Sequence, residues 1–346
     1  PREFIFWEPP LLQGSDGRRR SSNSEAAWLA ANFVRAGLRS IFFCNSRKSA
    51  ELLRRYATGQ LDGTDATRLQ TFRAGYTPED RQLLEQGFRN GDITVLAATS
   101  ALELGVDVGD VDAVVMVGYP GSHMALWQRV GRAGRSGGRS LAILIPGNDP
   151  LDEYYLHHPE LITEGEPEDA IADPFNTEIH PLHLDCAAAE MPLSTAEPLV
   201  ASWFDPRTRP QLFPCGEAWC HAGRYPHRHV RIRGAHGGRV RLVDGDGTTL
   251  GDSDLAAALR DLHRGAVYLH QGETYLVAEL DLERRQAILL PHIEEYYTQA
   301  RSETDIDVLE VEERLGRVNV GRVRVTTTVS GYVLKRYITE AVLDER

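Results

Sequence analysis

Short apolar runs alternate with stretches of helical period over the first half of the chain. Phe4-Ile5-Phe6-Trp7 reads as a strand closed by Pro9-Pro10, and the Gly/Ser/Arg stretch at 13–23 as a loop. Ser24 or Asn23 then caps a helix that places Ala27, Leu29, Ala30, Phe33 and Val34 on one face and stops at Gly37. Ser40–Cys44 is a continuous apolar run of strand length, and a second helix starts at Ser46. Leu69–Phe72 predicts another strand, and Thr77-Pro78-Glu79-Asp80 opens a helix running towards Gly91. Ile93–Ala97, Ala113–Val117 and Leu141–Ile145 complete the series. Apolar strands alternating with amphipathic helices predict an α/β domain over 1–146, its parallel sheet covered on both faces.

Gly147–Pro150 is a turn signal, after which 150–200 reads mainly helical with several proline breaks. The second unit is expected to be a small helical domain at 147–223. From 224 onward the pattern favours strands, at Val230–Arg233, Arg239–Val243, Ala266–His270, Thr274–Glu279, Gln286–Leu290 and Gly321–Val329, with Gly-rich turns between the early ones. This predicts a mostly β third domain at 224–346. The sequence has no internal repeat or low-complexity segment.

Composition adds little until it is divided. The 346 residues are 42% hydrophobic and 25% charged, ordinary values for globular domains. No apolar run approaches the roughly 20 residues that cross a bilayer, and the polar N-terminus lacks a signal-peptide core, so a cytoplasmic protein without membrane contact is expected. Four cysteines (Cys44, Cys186, Cys215, Cys220) are too few for a disulfide framework, and reduced thiols are expected. The net charge of −12 argues against a phosphate-binding partner only on average. Residues 1–145 hold 18 Lys+Arg against 15 Asp+Glu, whereas the remainder holds 20 against 35. Charges act over about 8–10 Å in cellular salt, so the mildly basic first part can still meet nucleic acid.

The chemistry concentrates at Gln128-Arg129-Val130-Gly131-Arg132-Ala133-Gly134-Arg135. Arg132 and Arg135, three residues apart, share one side of a helix or tight turn, and their planar forks suit the oxygens of a transferring phosphoryl group. A basic helix end explains the three arginines equally well when they are taken alone. Ala98-Thr99-Ser100-Ala101-Leu102-Glu103-Leu104-Gly105-Val106-Asp107 follows the Ile93–Ala97 strand directly. There Thr99 and Ser100 offer donors to a phosphate, and Gly105 with Asp107 places a carboxylate where a ribose hydroxyl can donate to it.

In order and spacing these two segments resemble motifs V and VI of superfamily 2 helicases. Ile41-Phe42-Phe43-Cys44-Asn45-Ser46-Arg47 resembles motif IV, and Phe72-Arg73-Ala74-Gly75-Tyr76 resembles the aromatic-His-Ala-Gly turn, with Arg73 in place of the His and no role assigned to it. Further on, Gly147–Tyr155, His158-Pro159-Glu160, His180-Pro181, Cys186-Ala187-Ala188, Glu190–Leu193 and Gly265–Glu273 are similar to the bacterial mitomycin-repair and the fungal and archaeal Hrq-type helicases. The resemblance implies a second RecA-like motor lobe, then a winged-helix-like domain and a β-rich domain, in an ATP-dependent, 3′-to-5′ DNA helicase of DNA repair. It implies Arg132 and Arg135 as catalytic arginine fingers, with Gly105, Asp107 and Gln128 beside them at the nucleotide. It implies Asn45, Arg47, Gly75, Thr99 and Ser100 at the DNA, either a single strand or a 3′-tailed duplex.

The sequence lacks Gly-x-x-x-x-Gly-Lys-[Ser/Thr], and Asp152-Glu153 follows motif VI in a helical stretch, so it is read as structural. ATP and Mg2+ are therefore expected only with a first RecA-like lobe, as in a full-length enzyme. This piece alone is expected to bind neither and to be inactive. The alternative is a non-catalytic DNA- or partner-binding module derived from a motor. No metal site is expected, since Cys215, Cys220, His221, His227 and His229 lack the two-residue cysteine spacing of a zinc knuckle. Arg224, Arg228, Arg231, Arg233, Arg239 and Arg241, interleaved with Tyr225, form a candidate DNA contact or a solvated β surface, and the acidic run 303–313 reads as a solvated face or linker.

Overall fold

The computed structural model describes residues 2–12, 17, 19–103, 109, 111–134, 138–173, 176, 179–201, 209–228, 230 and 238–346. They form two compact units, one of residues 1–168 with 239–346 and the other of 169–238. These limits differ from the expected boundaries at 146/147 and 223/224, because the β-rich residues from Arg239 group with the first sheet.

In the larger unit the order is β1 (Arg2–Phe6), α1 (Ser22–Ala36), β2 (Ser40–Cys44), α2 (Arg47–Thr58), α3 (Gly63–Thr67), β3 (Leu69–Phe72), α4 (Pro78–Asn90), β4 (Val95–Ala98), β5 (Ala113–Val117), α5 (His123–Val130), β6 (Ser140–Ile145), α6 (Pro150–His157) and α7 (Glu160–Thr163). The six strands form one sheet in the order β1-β6-β5-β2-β4-β3, with every pairing parallel. Strand alternation divides the side chains between two cores. Phe42, Cys44, Val95, Ala97, Val115 and Ile143 face α1 and α2, while Ile41, Phe43, Leu96, Ala98, Val114 and Leu144 lie with Phe88 of α4 and Leu126 of α5. Each fully buried Phe or Leu contributes on the order of 2 kcal/mol.

The helix ends show local agreement between sequence and structure. Thr77 caps α4, its side chain accepting from the Asp80 N–H, with Pro78 in the first turn. The first helix begins two or three residues before the expected start: Ser21 is its cap and accepts from the Ser24 N–H, and Gly37 closes it in the left-handed conformation. Asp152 accepts from the Tyr119 N–H at 3.0 Å and from the Gly147 N–H, which agrees with its structural reading.

The smaller unit holds α8 (His180–Glu190), α9 (Pro198–Ala201) and the antiparallel pair β7 (Leu212–Cys215) and β8 (Ala218–His221) around Leu184, Ala188, Leu193, Val200 and Leu212. Cys215 and Cys220 are joined there as a disulfide, which corrects the expectation of reduced thiols for this pair. Spacing gave no hint of it, because the tight turn between β7 and β8 is what brings the two side chains together.

The larger unit then resumes with β9 (Arg239–Asp244), β10 (Thr249–Asp254), α10 (Leu255–Asp261), β11 (Val267–His270), β12 (Glu273–Asp281) and β13 (Gln286–Pro291), which form a five-stranded sheet ordered β10-β9-β13-β12-β11 with α10 against it. A long ribbon follows: β14 (Tyr296–Leu315) and β15 (Val318–Arg336), with β16 (Val342–Glu345) along its base. The acidic run 303–313 is thus strand, exposed along its length, and not a linker. Leu269, Tyr297 and Tyr337 from this β-rich part enter the core on the α1 and α2 face, which joins it to the parallel sheet.

Candidate functional site

Three adjacent strands deliver the expected residues to one edge. Phe43 of β2 and Phe72 of β3 both register with Ala98 of β4, so Asn45, Arg73 and Thr99 leave the carboxyl ends of neighbouring parallel strands. Ligands of open α/β sheets bind outside that edge, where helix N-termini and loops converge. Thr99 and Ser100 begin a short 3-10 turn ending at Leu102, with the Thr99 N–H on the Phe72 carbonyl at 3.3 Å.

Helix α5 approaches the same edge. Ser122 caps it, accepting from the Ala125 N–H at 3.1 Å, and Gly131 ends it. Its last turn presents Arg129 and, just beyond, Arg132, both buried. Arg129 donates through Nε at 2.7 Å and Nη2 at 2.6 Å to one oxygen of Glu103, and stands 5.3 Å above the Phe43 ring. Its Nη1 reaches Asn45 Oδ1 at 3.5 Å, and Asn45 Nδ2 donates to the Tyr119 carbonyl at 3.0 Å. Arg132 donates to the Glu103 carbonyl. One residue, Glu103, therefore clips an arginine of α5 by its carboxylate and one just beyond that helix by its backbone. Gly134, with φ +69°, takes a position where a Cβ would collide with the Ser140 side chain.

Arg129 was not singled out in the sequence, although it stands three residues before Arg132, the spacing that singled out Arg135. Gln128 is half-buried on α5. Gly105, Asp107 and Arg135 lie outside the described residues. Burial pushes the Cys44 thiol up to about 12 against the lowering effect of Arg129, which leaves it inert beside these groups.

The strand-facing residues are divided. Asn45 and Arg47 line a cleft of about 630 Å³ with Lys48, Arg260 and Lys335. Arg47 opens α2 but directs its guanidinium to Ser253 Oγ at 3.3 Å and Asp254 Oδ2 at 3.4 Å. Gly75 has φ +99°, and a Cβ there would lie 2.6 Å from the Asp252 carbonyl, whose N–H donates to the Gly75 carbonyl at 3.1 Å. The Gly75 turn is thus pinned by β10.

Arg73, given no role from sequence, is the centre of this junction and fully buried. It donates to Glu51 Oε1 at 2.8 Å and the Leu269 carbonyl at 3.0 Å, and lies 3.3 Å from His270 Nδ1 and 4.6 Å above the Tyr76 ring. Glu51 also accepts from Tyr76 Oη at 2.6 Å and from the N–H groups of Gln271 and Gly272 at 3.2 and 3.1 Å. Burial opposes ionisation of Glu51, but the Arg73 charge and the hydrogen bonds from Tyr76 and Arg73 outweigh it and hold the carboxyl below its usual range. Burial, then the Arg73 charge, presses His270 down to about 4.

The arginines of the candidate basic cluster are divided between the two units. Arg224 and Arg228 belong to the smaller unit, with Arg228 over the Tyr225 ring at 5.4 Å. Arg239 pairs with Asp252 at 2.9 Å and Arg241 donates to Gln286 at 2.8 Å in the larger one, while Arg231 and Arg233 lie outside the described residues. Of the histidines considered for zinc, His227 pairs with Glu190 at 2.7 Å and His221 turns to Gly223, while His229 lies outside the described residues. Both cysteines of that set are oxidised, and among the described residues no cluster of three metal-ligating side chains occurs.

Residues 26–137 match the helicase conserved C-terminal domain. The chain is 34% identical over 323 residues to the uncharacterized ATP-dependent helicase YprA of Bacillus subtilis, covering 90% of this chain and 43% of YprA. It is 32% identical over 354 residues to the ATP-dependent helicase hrq1 of Schizosaccharomyces pombe, covering 96% of this chain and 33% of hrq1. Among solved structures, the DUF1998 helicase MrfA bound to DNA superposes with a TM-score of 0.81 at 31% identity, over 99% of this chain and 48% of MrfA. MrfA bound to DNA and AMPPNP gives 0.79 at 30% identity, over 100% of this chain and 48% of that one. The chain thus spans between a third and a half of these relatives.

Proposed function

Because this chain belongs to the superfamily 2 helicases of the YprA, Hrq1 and MrfA group, we propose that it is the second motor lobe, with accessory domains, of an ATP-dependent 3′-to-5′ DNA helicase of DNA repair. The reading rests on one observation above all, the clipping of Arg129 and Arg132 onto Glu103 at the edge where three parallel strands end. Guanidiniums held at such an edge suit the spreading charge of a phosphoryl group in transfer, and Arg132, with Arg135 of the same motif, is assigned the part of arginine finger. Gln128, Gly105 and Asp107 complete the nucleotide side, while Asn45, Arg47, Gly75, Thr99 and Ser100 face the strand.

When bound, ATP would supply the transferable γ-phosphoryl group, and Mg2+ would offset the charge of its phosphates. The chain's own part is to hold donors in place before the nucleotide arrives and to close the cleft against water. Its sequence carries no phosphate-cradling Gly-Lys loop, so the chain alone turns over no ATP, and a first RecA-like lobe completes the site. The protein acts in the cytoplasm at the nucleoid, and no helix among the described residues is long and apolar enough to cross a membrane.

The experiment is ATP turnover with single-stranded DNA present, measured for this chain alone and for the same chain joined to a first lobe from YprA. Turnover only in the joined protein is expected. Turnover by the chain alone removes the proposal, and DNA binding without turnover in the joined protein moves the assignment to a non-catalytic binding module.

A further inference from the structure

Along the outer side of α1 and α2 runs an open groove of about 960 Å³, bounded on its far side by the strap that follows β15. None of the residues assigned to the strand or the nucleotide lines it. Its floor includes the last turn of α2, whereas Arg47 opens that helix; residues 47 to 58 span about 16 Å at 1.5 Å each. The groove is therefore a separate feature from the motor cleft.

Its chemistry is aromatic and cationic. Trp28, alone among the described tryptophans, is an exposed side chain, with 42% of its surface open, and it lines the groove with Tyr56 and Tyr337. Arg20, Arg55 and Arg336 line it against a single acid, Glu295. Two of these cations are held in place, Arg20 by Glu25 Oε2 at 3.0 Å and Arg55 by Thr274 Oγ1 at 3.2 Å with its guanidinium 4.2 Å above the Tyr337 ring. Glu25 offsets the Arg20 charge, so Arg55 and Arg336 are the cations left to meet a ligand's charge.

The strap wall is also fixed. Ile338 and Glu340 both adopt left-handed backbone, with φ of +66° and +55°, although Ile338 is β-branched. Ser24 Oγ donates to the Ile338 carbonyl at 3.2 Å, and Asn23 Nδ2 donates to Glu340 Oε1 at 3.2 Å, which ties the strap to the start of α1.

From these features we infer that the groove binds single-stranded nucleic acid as a second contact outside the motor, a base stacking on Trp28 while a phosphate meets Arg336. An exposed indole flanked by fixed guanidiniums is the donor set such a strand requires, since every base offers a π-face and every step a charge. The inference rests on the helicase reading only for the kind of polymer, and its test separates the two.

The test measures binding of fluorescein-labelled oligothymidylate to the full chain by anisotropy across a salt series. Trp28→Ala is expected to weaken binding about tenfold, and Trp28→Phe, which keeps a stacking ring, to restore most of it. Arg336→Gln is expected to lower the slope of log K against log salt by about one. A 5-iodouracil strand is expected to crosslink to the peptide bearing Trp28 in the unaltered chain. Unaltered affinity in both variants with loss in Arg47→Ala overturns the groove and leaves the helicase reading standing. Displacement of the strand by polyglutamate at matched charge as readily as by DNA overturns it in favour of an acidic protein partner, and absence of oligothymidylate binding by the unaltered chain overturns it as well.

Discussion

Arg73 with Glu51 and Arg129 with Glu103 are two buried arginine–glutamate pairs on the same lobe, similar in chemistry and different in company. Around Glu51 the donors come from both sheets: Arg73 and Tyr76 from the parallel lobe, Gln271 and Gly272 from the β-rich part. Around Glu103 they come from α5 and the turn just after it, and the pair stands beside Asn45 at the sheet's open edge. A pair whose hydrogen-bonding capacity is spent internally, between two layers, is suited to joining them. A pair beside Asn45 at the sheet's open edge, where the Glu103 carbonyl also accepts from Arg132, is suited to fixing guanidiniums where a ligand can meet them. Burial alone does not separate the two roles; the origin of the partners does.

The largest effect tests the cleft side. Arg132→Lys keeps the charge but loses the planar fork, and in a protein completed by a first lobe it is expected to lower ATP turnover about 10³-fold. Its thermal midpoint should fall less than that of an Arg73 variant. If turnover persists while stability collapses, Arg132 belongs with Arg73 and the contrast between the pairs is lost.

Next comes the junction. Arg73→Ala leaves Glu51 charged, buried and without its main partner, so a loss of about 3–5 kcal/mol in urea unfolding is expected. Arg73→Met with Glu51→Leu removes both charges and should recover much of that loss. Equal losses in the single and double variants would show that packing of Arg73 over the Tyr76 and Tyr268 rings, at 4.6 and 5.5 Å, and not the ion pair, carries the junction.

Much of this was legible in the sequence, but unevenly. The five apolar runs from Ser40 to Ile145 became strands within one or two residues of their expected limits, because a strand buried on both faces tolerates little but apolar side chains. Motif spacing led to Arg132, Asn45 and Thr99 for the same local reason. What stayed hidden depends on contacts distant in sequence. Arg73 looked like a departure from a motif until Leu269 and His270, some two hundred residues later, supplied its partners. The acidic run 303–313 reads only as a solvated face or linker, because its acids mark a solvated surface and mask the strand alternation of Ile306, Val308 and Val311 among them. Cys215 and Cys220 required the turn between β7 and β8 to meet.

The smallest effect separates the pairs by pH. His270 sits at about 4 in the fold against an ordinary 6.5, so the unfolded chain takes up its proton first as the solution is acidified. Its contribution is full above pH 6.5, declines between 6.5 and about 4, and amounts to on the order of 3 kcal/mol. Glu51, held below its ordinary value, adds in the same direction at lower pH: its stabilisation is present above 4.5 and is lost as pH falls through the folded value. Stability should therefore fall as pH drops from 7 to 4, and His270→Gln should flatten the upper part of that profile while leaving the Glu51 part in place. Both groups belong to the junction. If the slope between pH 6.5 and 4 is unchanged in His270→Gln, the proton enters elsewhere, and the junction is not the acid-sensitive half of the comparison.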